Sequence, residues 1–176
     1  MKLGFTGTRQ GMTEAQDRKC YELLFEMQPE ESHHGDCIGA DAQFELNAML
    51  AMHSDVHTVA HPSTLNRLRA YCNSCEIREP KEPLERNRDI VDETDQLIAA
   101  PSTYDELPRS GTWSTIRYAL KVGKPVTIVW PDGTTREYQT ERCPICKQPM
   151  EFKGRSYSQD FGYDVDKYSC SRKCLT

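Results

Sequence analysis

A group of basic and glycine-containing residues between positions 86 and 112 is well suited to bind an anion. Arg86 and Arg88 precede an apolar stretch at 95–101, and Ser110-Gly111-Thr112 stands where a helical pattern begins. Main-chain N–H groups at the start of a helix, together with the positive end of its dipole, favour phosphate. The pattern therefore predicts a nucleotide site at Arg86, Asn87, Ser110, Gly111 and Thr112.

Each of these residues also has a purely structural interpretation. Arginines near a helix start often form surface ion pairs, here with Glu85 or Asp92. Gly111 and Thr112 could simply cap the helix, Thr being an acceptable N-cap residue. Capping and phosphate binding are compatible, because the cap orders the N–H groups that hold the anion.

Two further loops carry glycine next to polar residues, Gly7-Thr8-Arg9 and the longer segment 34–41. In the longer segment, Gly35 would let a ribose approach and Asp36 would accept from its hydroxyls or act as a base. The alternative for Asp41 is a helix N-cap. The residues of these loops predicted to bind the nucleotide are Gly7, Thr8, Arg9, His34, Gly35, Asp36, Gly39, Ala40 and Asp41.

Histidines and cysteines in the body could bind a metal. His33 and His34 are adjacent, and neighbouring residues of a strand point to opposite faces, so we expect only His34 to face the crevice. Cys72 and Cys75 have metal-binding or redox spacing but no second pair nearby, which favours two unrelated thiols.

The tail carries the strongest local pattern, a Cys-x-x-Cys pair followed 23 residues later by a second pair. Four thiolates in this arrangement bind a structural Zn²⁺, as in a zinc ribbon, and leave no open position for chemistry. So small a unit needs the metal to fold. The predicted ligands are Cys143, Cys146, Cys170 and Cys174.

Charge and composition divide the chain into two domains. Residues 1–137 contain 15 basic and 22 acidic residues, a net charge of −7, whereas residues 138–176 have a net charge of +2. The acidic body argues against nucleic acid as the partner. The chain lacks an apolar run of about 20 residues and a secretory signal, which predicts a cytoplasmic protein that does not enter a membrane.

Apolar periodicity predicts strands at 2–6, 32–35, 56–60, 96–100 and 125–130. Helices are predicted from the Thr13–Gln16 capping box to Pro29, and over 42–52, 84–93 and 112–122. Residues 63–83 are irregular, as many functional loops are. Alternating strands and helices predict a doubly wound α/β fold with a mainly parallel sheet, whose ligand lies at the carboxyl ends of the strands.

The order and spacing of these loops over 2–132 resemble the SLOG superfamily, the Rossmann-like fold shared by DprA-type proteins and the Lonely-guy phosphoribohydrolases. The resemblance implies a nucleotide-type ligand and a homo-oligomer. Arg86 matches the arginine with which Lonely-guy enzymes cleave an N-glycosidic bond. Their glutamate, however, is replaced by Thr115, which cannot act as a carboxylate base.

Two functions remain at this point. In the first, the body binds a nucleotide derivative, of the ADP-ribose or nucleoside-monophosphate type, as a sensor or sequestering module. In the second, it cleaves an N-glycosidic or phosphate bond with Arg86 and Asp36 as catalytic residues. DprA-like binding of single-stranded nucleic acid is a weaker third alternative, because the body is acidic. The missing glutamate favours the first.

Overall fold

The computed structural model describes residues 1–51 and 56–138, together with the backbone of 150–158 and 163–170. In chain order the elements of the body are β1 (Lys2–Gly7), α1 (Glu14–Met27), β2 (Glu31–His34), α2 (Ala40–Ala51), β3 (His57–Ala60), a 3-10 turn (Asn66–Leu68), β4 (Glu76–Ile77), α3 (Pro83–Glu93), β5 (Gln96–Ala100), α4 (Gly111–Val122), β6 (Val126–Val129) and β7 (Thr135–Tyr138). The tail contributes β8 (Met150–Ser158) and β9 (Tyr163–Cys170).

The body is built on one seven-stranded sheet in the order β4-β3-β2-β1-β5-β6-β7. Every neighbouring pair is parallel except β6 and β7, which form an antiparallel pair at one edge. This confirms the predicted α/β class and the mainly parallel sheet. The strand order reverses between β1 and β5, the position where ligands of open α/β sheets bind.

Helices cover both faces of the sheet, as a doubly wound fold requires. Leu3 and Phe5 of β1 pack with the apolar residues of α1 and α2. Leu97 and Ala99 of β5 pack on the other side, with those of α3 and α4. Alternate residues of one strand point to opposite faces, so β5 contributes to both cores.

Local sequence signals fix the start of α1 and both ends of α4. The capping box is present: Thr13 Oγ1 accepts from the N–H of Gln16, and the Gln16 side chain accepts from the N–H of Thr13. Helix α4 ends at Val122 as predicted, with Gly123 as its C-cap in the left-handed conformation. Its start differs, because Ser110 rather than Thr112 is the N-cap, its hydroxyl accepting from the N–H of Trp113.

Two strands were not predicted, β4 and β7. β4 has only two residues and is defined by its pairing with β3 rather than by any pattern of its own. β7 is an edge strand in which exposed and half-buried residues alternate. Both lie at the margins of the sheet, where little apolar surface is buried.

In the tail, β8 and β9 pair antiparallel and form a hairpin. Three of the predicted zinc ligands, Cys143, Cys146 and Cys174, lie outside the described residues, and only the backbone of Cys170 is described. Within the described part of the chain, no helix combines the length and apolar character needed to cross a membrane.

Candidate functional site

A crevice of about 510 Å³ opens at the carboxyl edge of the sheet, at the β1/β5 reversal. Its floor includes Thr6 and Gly7 at the end of β1, and Asp41 and Arg86 line it from the first turns of α2 and α3. Residues at the start of α4 complete the wall. Three helix N-termini thus converge on one space, and their dipoles give it a positive potential.

The charged side chains of the crevice are almost all basic. Arg9, Arg67, Arg86 and Arg109 line it, and Asp41 is the one acidic residue among the lining residues. No carboxylate among the described residues forms an ion pair with any of the four arginines. The chain as a whole has a net charge of −5, so this concentration of unpaired cations is local.

Arg86 is the buried member of this set, with only 8% of its surface exposed. Its Nη2 donates to Cys37 Sγ at 2.8 Å, and its Nε has no hydrogen-bond partner among the described residues. Burial raises the pKa of the Cys37 thiol to about 11, so this partner is neutral. Among the described residues, this buried guanidinium thus donates to a neutral thiol and forms no ion pair that would offset its desolvation.

Gly35 provides the space for this guanidinium. A Cβ at position 35 would overlap the Nη1, Cζ and Nη2 atoms of Arg86. Glycine therefore allows the close approach of the Arg86 side chain, and its contribution to the site is indirect.

The start of α4 supplies open hydrogen-bond donors. Ser110 Oγ takes the N–H of Trp113, whereas the first two N–H groups of a helix, here those of Gly111 and Thr112, have no partner within the helix. Both residues line the crevice. The Thr112 hydroxyl donates to the Gly7 carbonyl oxygen at 2.8 Å, which holds this helix end against β1.

The Gly7 turn differs, because the chain itself accepts three of its N–H groups. The N–H of Thr8 donates to the Ala100 carbonyl, and that of Gly11 to the Thr8 carbonyl. The N–H of Gln10 lies 3.4 Å from Thr8 Oγ1. We therefore interpret this turn as a scaffold for Arg9.

The structure brings together nine of the predicted nucleotide-binding residues around the crevice: Gly7, Thr8, Arg9, Asp41, Arg86, Asn87, Ser110, Gly111 and Thr112. It leaves out five, namely His34, Gly35, Asp36, Gly39 and Ala40. Ala40 is fully buried in the core, and Gly39 packs on the backbone of Arg9 with a φ of 90°.

Asp36 differs most from its predicted role as ribose acceptor or base. It is 1% exposed and does not line the crevice. Its Oδ2 accepts from Arg69 Nε at 2.7 Å and its Oδ1 from the N–H of Cys72 at 2.9 Å. The carboxylate is thus occupied in holding the irregular segment against the sheet.

His34 is buried beside Asp36 rather than facing the crevice. Its Nδ1 accepts from the N–H of Asp36 at 3.2 Å, so its Nε2 carries the proton, which is donated to Ser74 Oγ at 3.1 Å. Ser74 in turn donates to Glu45 Oε1 at 2.6 Å. Burial lowers the pKa of His34, in agreement with this neutral form.

Thr115 stands at the position of the Lonely-guy glutamate. It is 2% exposed, accepts from Asn87 Nδ2 at 2.8 Å and donates to the Gly111 carbonyl at 2.9 Å. It therefore positions Asn87 and the α4 start. The remaining carboxylate of the crevice, that of Asp41, accepts the N–H of Cys37 at 3.1 Å through Oδ2.

The sequence-based site omitted several lining residues. Arg109, directly before the Ser110 cap, and Arg67 in the irregular segment complete the basic set. The apolar residues Leu65, Leu68, Leu84 and Leu107 line the crevice as well. Arg109 could have been identified from its place beside the helix start, but no pattern marks residues of an irregular loop.

Comparison with known proteins gives no family for this chain. No protein-family model matches it, and a search of curated proteins finds no relative.

Proposed function

We propose that the crevice binds a small polyanion of the nucleotide type, such as a nucleoside monophosphate or ADP-ribose, and that the body is a sensor or sequestering module of the SLOG type. The observation that carries this proposal is the set of four arginines, none of which forms an ion pair within the described part of the chain, with Arg86 buried. A phosphate group would supply that partner and the acceptors for the open N–H groups of α4.

The shape and lining of the crevice are suited to the rest of such a ligand. A volume of about 510 Å³ lies within the range of small-molecule sites. Leu65, Leu68, Leu84 and Leu107 offer an apolar surface on which a base could lie. A ligand with an anionic end and an apolar ring would use both parts.

The contacts of the carboxylates favour binding of the ligand without cleavage. Hydrolysis of an N-glycosidic bond calls for a free carboxylate beside the sugar. Thr115 replaces the glutamate, Asp36 is bound to Arg69, and Asp41 bonds to the Cys37 N–H. Asp41 is the one lining residue that would support the alternative, a phosphoribohydrolase-like enzyme.

Replacement of Arg86 tests the proposal. Removing a charged hydrogen bond of about 1.5–3 kcal/mol predicts that Arg86→Ala weakens AMP or ADP-ribose binding about 10- to 100-fold in calorimetry. The variant should be no less stable, because it removes a buried cation that has no anionic partner among the described residues. Arg88→Ala is the matched control, since Arg88 lies on the same helix but stacks over Tyr118 outside the crevice.

Two results would contradict the proposal. Unchanged affinity in Arg86→Ala would mean that the ligand lies elsewhere. Release of a free base from AMP or ADP-ribose, detected by mass spectrometry and lost in Asp41→Asn, would establish the enzyme instead.

We also propose that the tail is a zinc ribbon. The β8–β9 register places Cys170 opposite Met150, four residues after Cys146. Cys143 and Cys146 therefore precede, and Cys174 follows, the same open end of the hairpin, where four thiolates could bind one Zn²⁺. Cys146→Ser should release this metal, measured as the zinc content of the purified chain, while the body keeps its melting temperature.

A further inference from the structure

Two buried histidines face each other on the other side of β2 from His34. His33 lies on β2 and His61 directly follows β3, and both are at most 1% exposed. The distance from His33 Nδ1 to His61 Nε2 is 3.0 Å. Neither residue lines the crevice.

The hydrogen bonds determine where the lone pair of His33 points. His33 Nε2 lies 3.1 Å from Glu31 Oε2, and the pKa of Glu31 is lowered by its hydrogen bonds to Lys2 and His33. The ionised carboxylate accepts, so Nε2 carries the proton and Nδ1 presents its lone pair to His61. Burial lowers the pKa of both histidines, that of His61 to about 3, so both rings are neutral at pH 7.

A carboxylate lies beside this pair of rings. Glu93, the last residue of α3, places Oε2 4.0 Å from His33 Nδ1. One ligand atom from each of His33, His61 and Glu93 lies within 4.8 Å of the others. Three separate elements of the fold thus bring two imidazole nitrogens and one carboxylate oxygen together.

We propose that His33, His61 and Glu93 bind a divalent transition-metal ion, with Zn²⁺ the best match. Two imidazoles and one carboxylate are a ligand set that zinc uses in proteins. Binding requires His61 to move its proton from Nε2 to Nδ1, after which both facing nitrogens donate to the metal. Glu31 then has the position of an outer carboxylate that orients a metal-bound histidine.

The surrounding charges both favour and oppose the ion. The C-terminal end of α3 has a negative partial charge, and Glu31 adds another negative charge. Arg78 opposes metal binding, because its Nη2 lies 2.7 Å from Glu93 Oε2 and competes with the ion for this carboxylate. Arg78 also pairs with Glu76, so it retains a carboxylate when Glu93 turns to the metal.

A second cluster, formed by His34, Glu45 and Cys72, meets the same distance limit, but both ring nitrogens of His34 are already hydrogen-bonded. His34 Nδ1 already accepts the Asp36 N–H, so Nε2 must keep its proton, which Ser74 accepts. Metal binding there would break this hydrogen-bonded chain. The two clusters are therefore expected to differ in metal binding, although both combine histidine with glutamate.

Metal content of the full chain tests the proposal. We expect purified wild-type protein, loaded with Zn²⁺ and dialysed, to hold one more equivalent per chain than His61→Gln. The difference is independent of whatever the tail binds. His57→Gln is the matched control, because His57 is on β3 but is exposed and lies outside the cluster. Equal metal content in wild type and His61→Gln would overturn the proposal.

Co²⁺ distinguishes this site from a thiolate site. The body site should add visible absorption without a thiolate charge-transfer band, and should persist in Cys146→Ser. If His61→Gln does not fold, Glu93→Gln gives the same test at a half-exposed position, with at least a tenfold loss of Co²⁺ affinity. A Co²⁺ spectrum identical in wild type and Glu93→Gln would contradict the site. Ligand binding in the crevice is measured separately, so either proposal can fail alone.

Discussion

Two glycine-containing loops at the carboxyl edge of the sheet look alike in sequence and differ in the structure. The loop at 35–41 is closed: Asp36 is bound to Arg69 and the Cys72 N–H, and Asp41 to the Cys37 N–H. The turn at 109–112 is open, with two helix N–H groups and Arg109 facing the crevice. Glycine and polar residues thus mark a tight loop in both cases. Whether the polar groups of the loop are already hydrogen-bonded to the protein decides whether the loop can bind a ligand.

A substitution in the closed loop should lower the stability of the fold rather than weaken ligand binding. Asp36→Ala leaves Arg69 without its carboxylate and the Cys72 N–H without an acceptor, so we expect a loss of about 3 kcal/mol in the free energy of unfolding. Urea denaturation measures it, with Asp105→Ala, an exposed carboxylate, as the control within about 0.5 kcal/mol. Binding of AMP at low temperature, where the variant is folded, should change less than tenfold. A stable variant that has lost binding would reverse the assignment of this loop.

The open turn should show the opposite behaviour. Gly111→Asp places a negative charge at the proposed phosphate position, and we expect affinity for AMP to fall about 100-fold, or about 2.7 kcal/mol. A Cβ at position 111 meets no atom of the described residues within 4 Å, so the fold has room for it. Gly111→Ala is the control and should bind like the parent. Equal affinities in the Asp and Ala variants would exclude this turn as the anion site.

The buried histidines predict that the stability of the fold depends on pH. Below pH 6.5 the unfolded chain binds a proton at His61 that the folded chain, with a pKa of about 3 there, does not. Stability is therefore lost as the pH falls from 6.5 towards 3. At about 1.4 kcal/mol per pH unit, His61 alone should lower the free energy of unfolding by about 2 kcal/mol between pH 7 and pH 5. Urea midpoints at the two pH values measure this loss in metal-free protein, and the exposed-histidine variant His57→Gln should show the same slope. Equal midpoints at pH 7 and pH 5 would mean that the rings are not held neutral.

Sequence patterns predicted the parts of the fold that bury apolar surface. The five central strands and four helices follow apolar periodicity, and Thr13 with Gln16 marked the start of α1. β4 and β7 were missed because edge strands bury little and depend on their neighbours. The α4 cap was placed two residues late, since both Ser110 and Thr112 are good N-cap residues.

The site was predictable only in part, for a similar reason. The order of the strands brings Arg86 and Gly111 to one edge, which follows from the parallel topology. Which carboxylate is free depends on contacts distant in sequence, such as Asp36 with Arg69. The pairing of His33 with His61 likewise joins residues 28 positions apart. Local patterns carry no information on such partners.

The overlap between a side chain at position 35 and the guanidinium of Arg86 has a consequence for mutational scans. Even Gly35→Ala, one added methyl, must displace the cation that faces the crevice. A screen that scores binding of the proposed ligand would therefore rank position 35 with the residues that line the crevice, although Gly35 is not among them. A loss of binding in a position-35 variant would reflect the displaced Arg86 side chain, and would not show that Gly35 contacts a ligand.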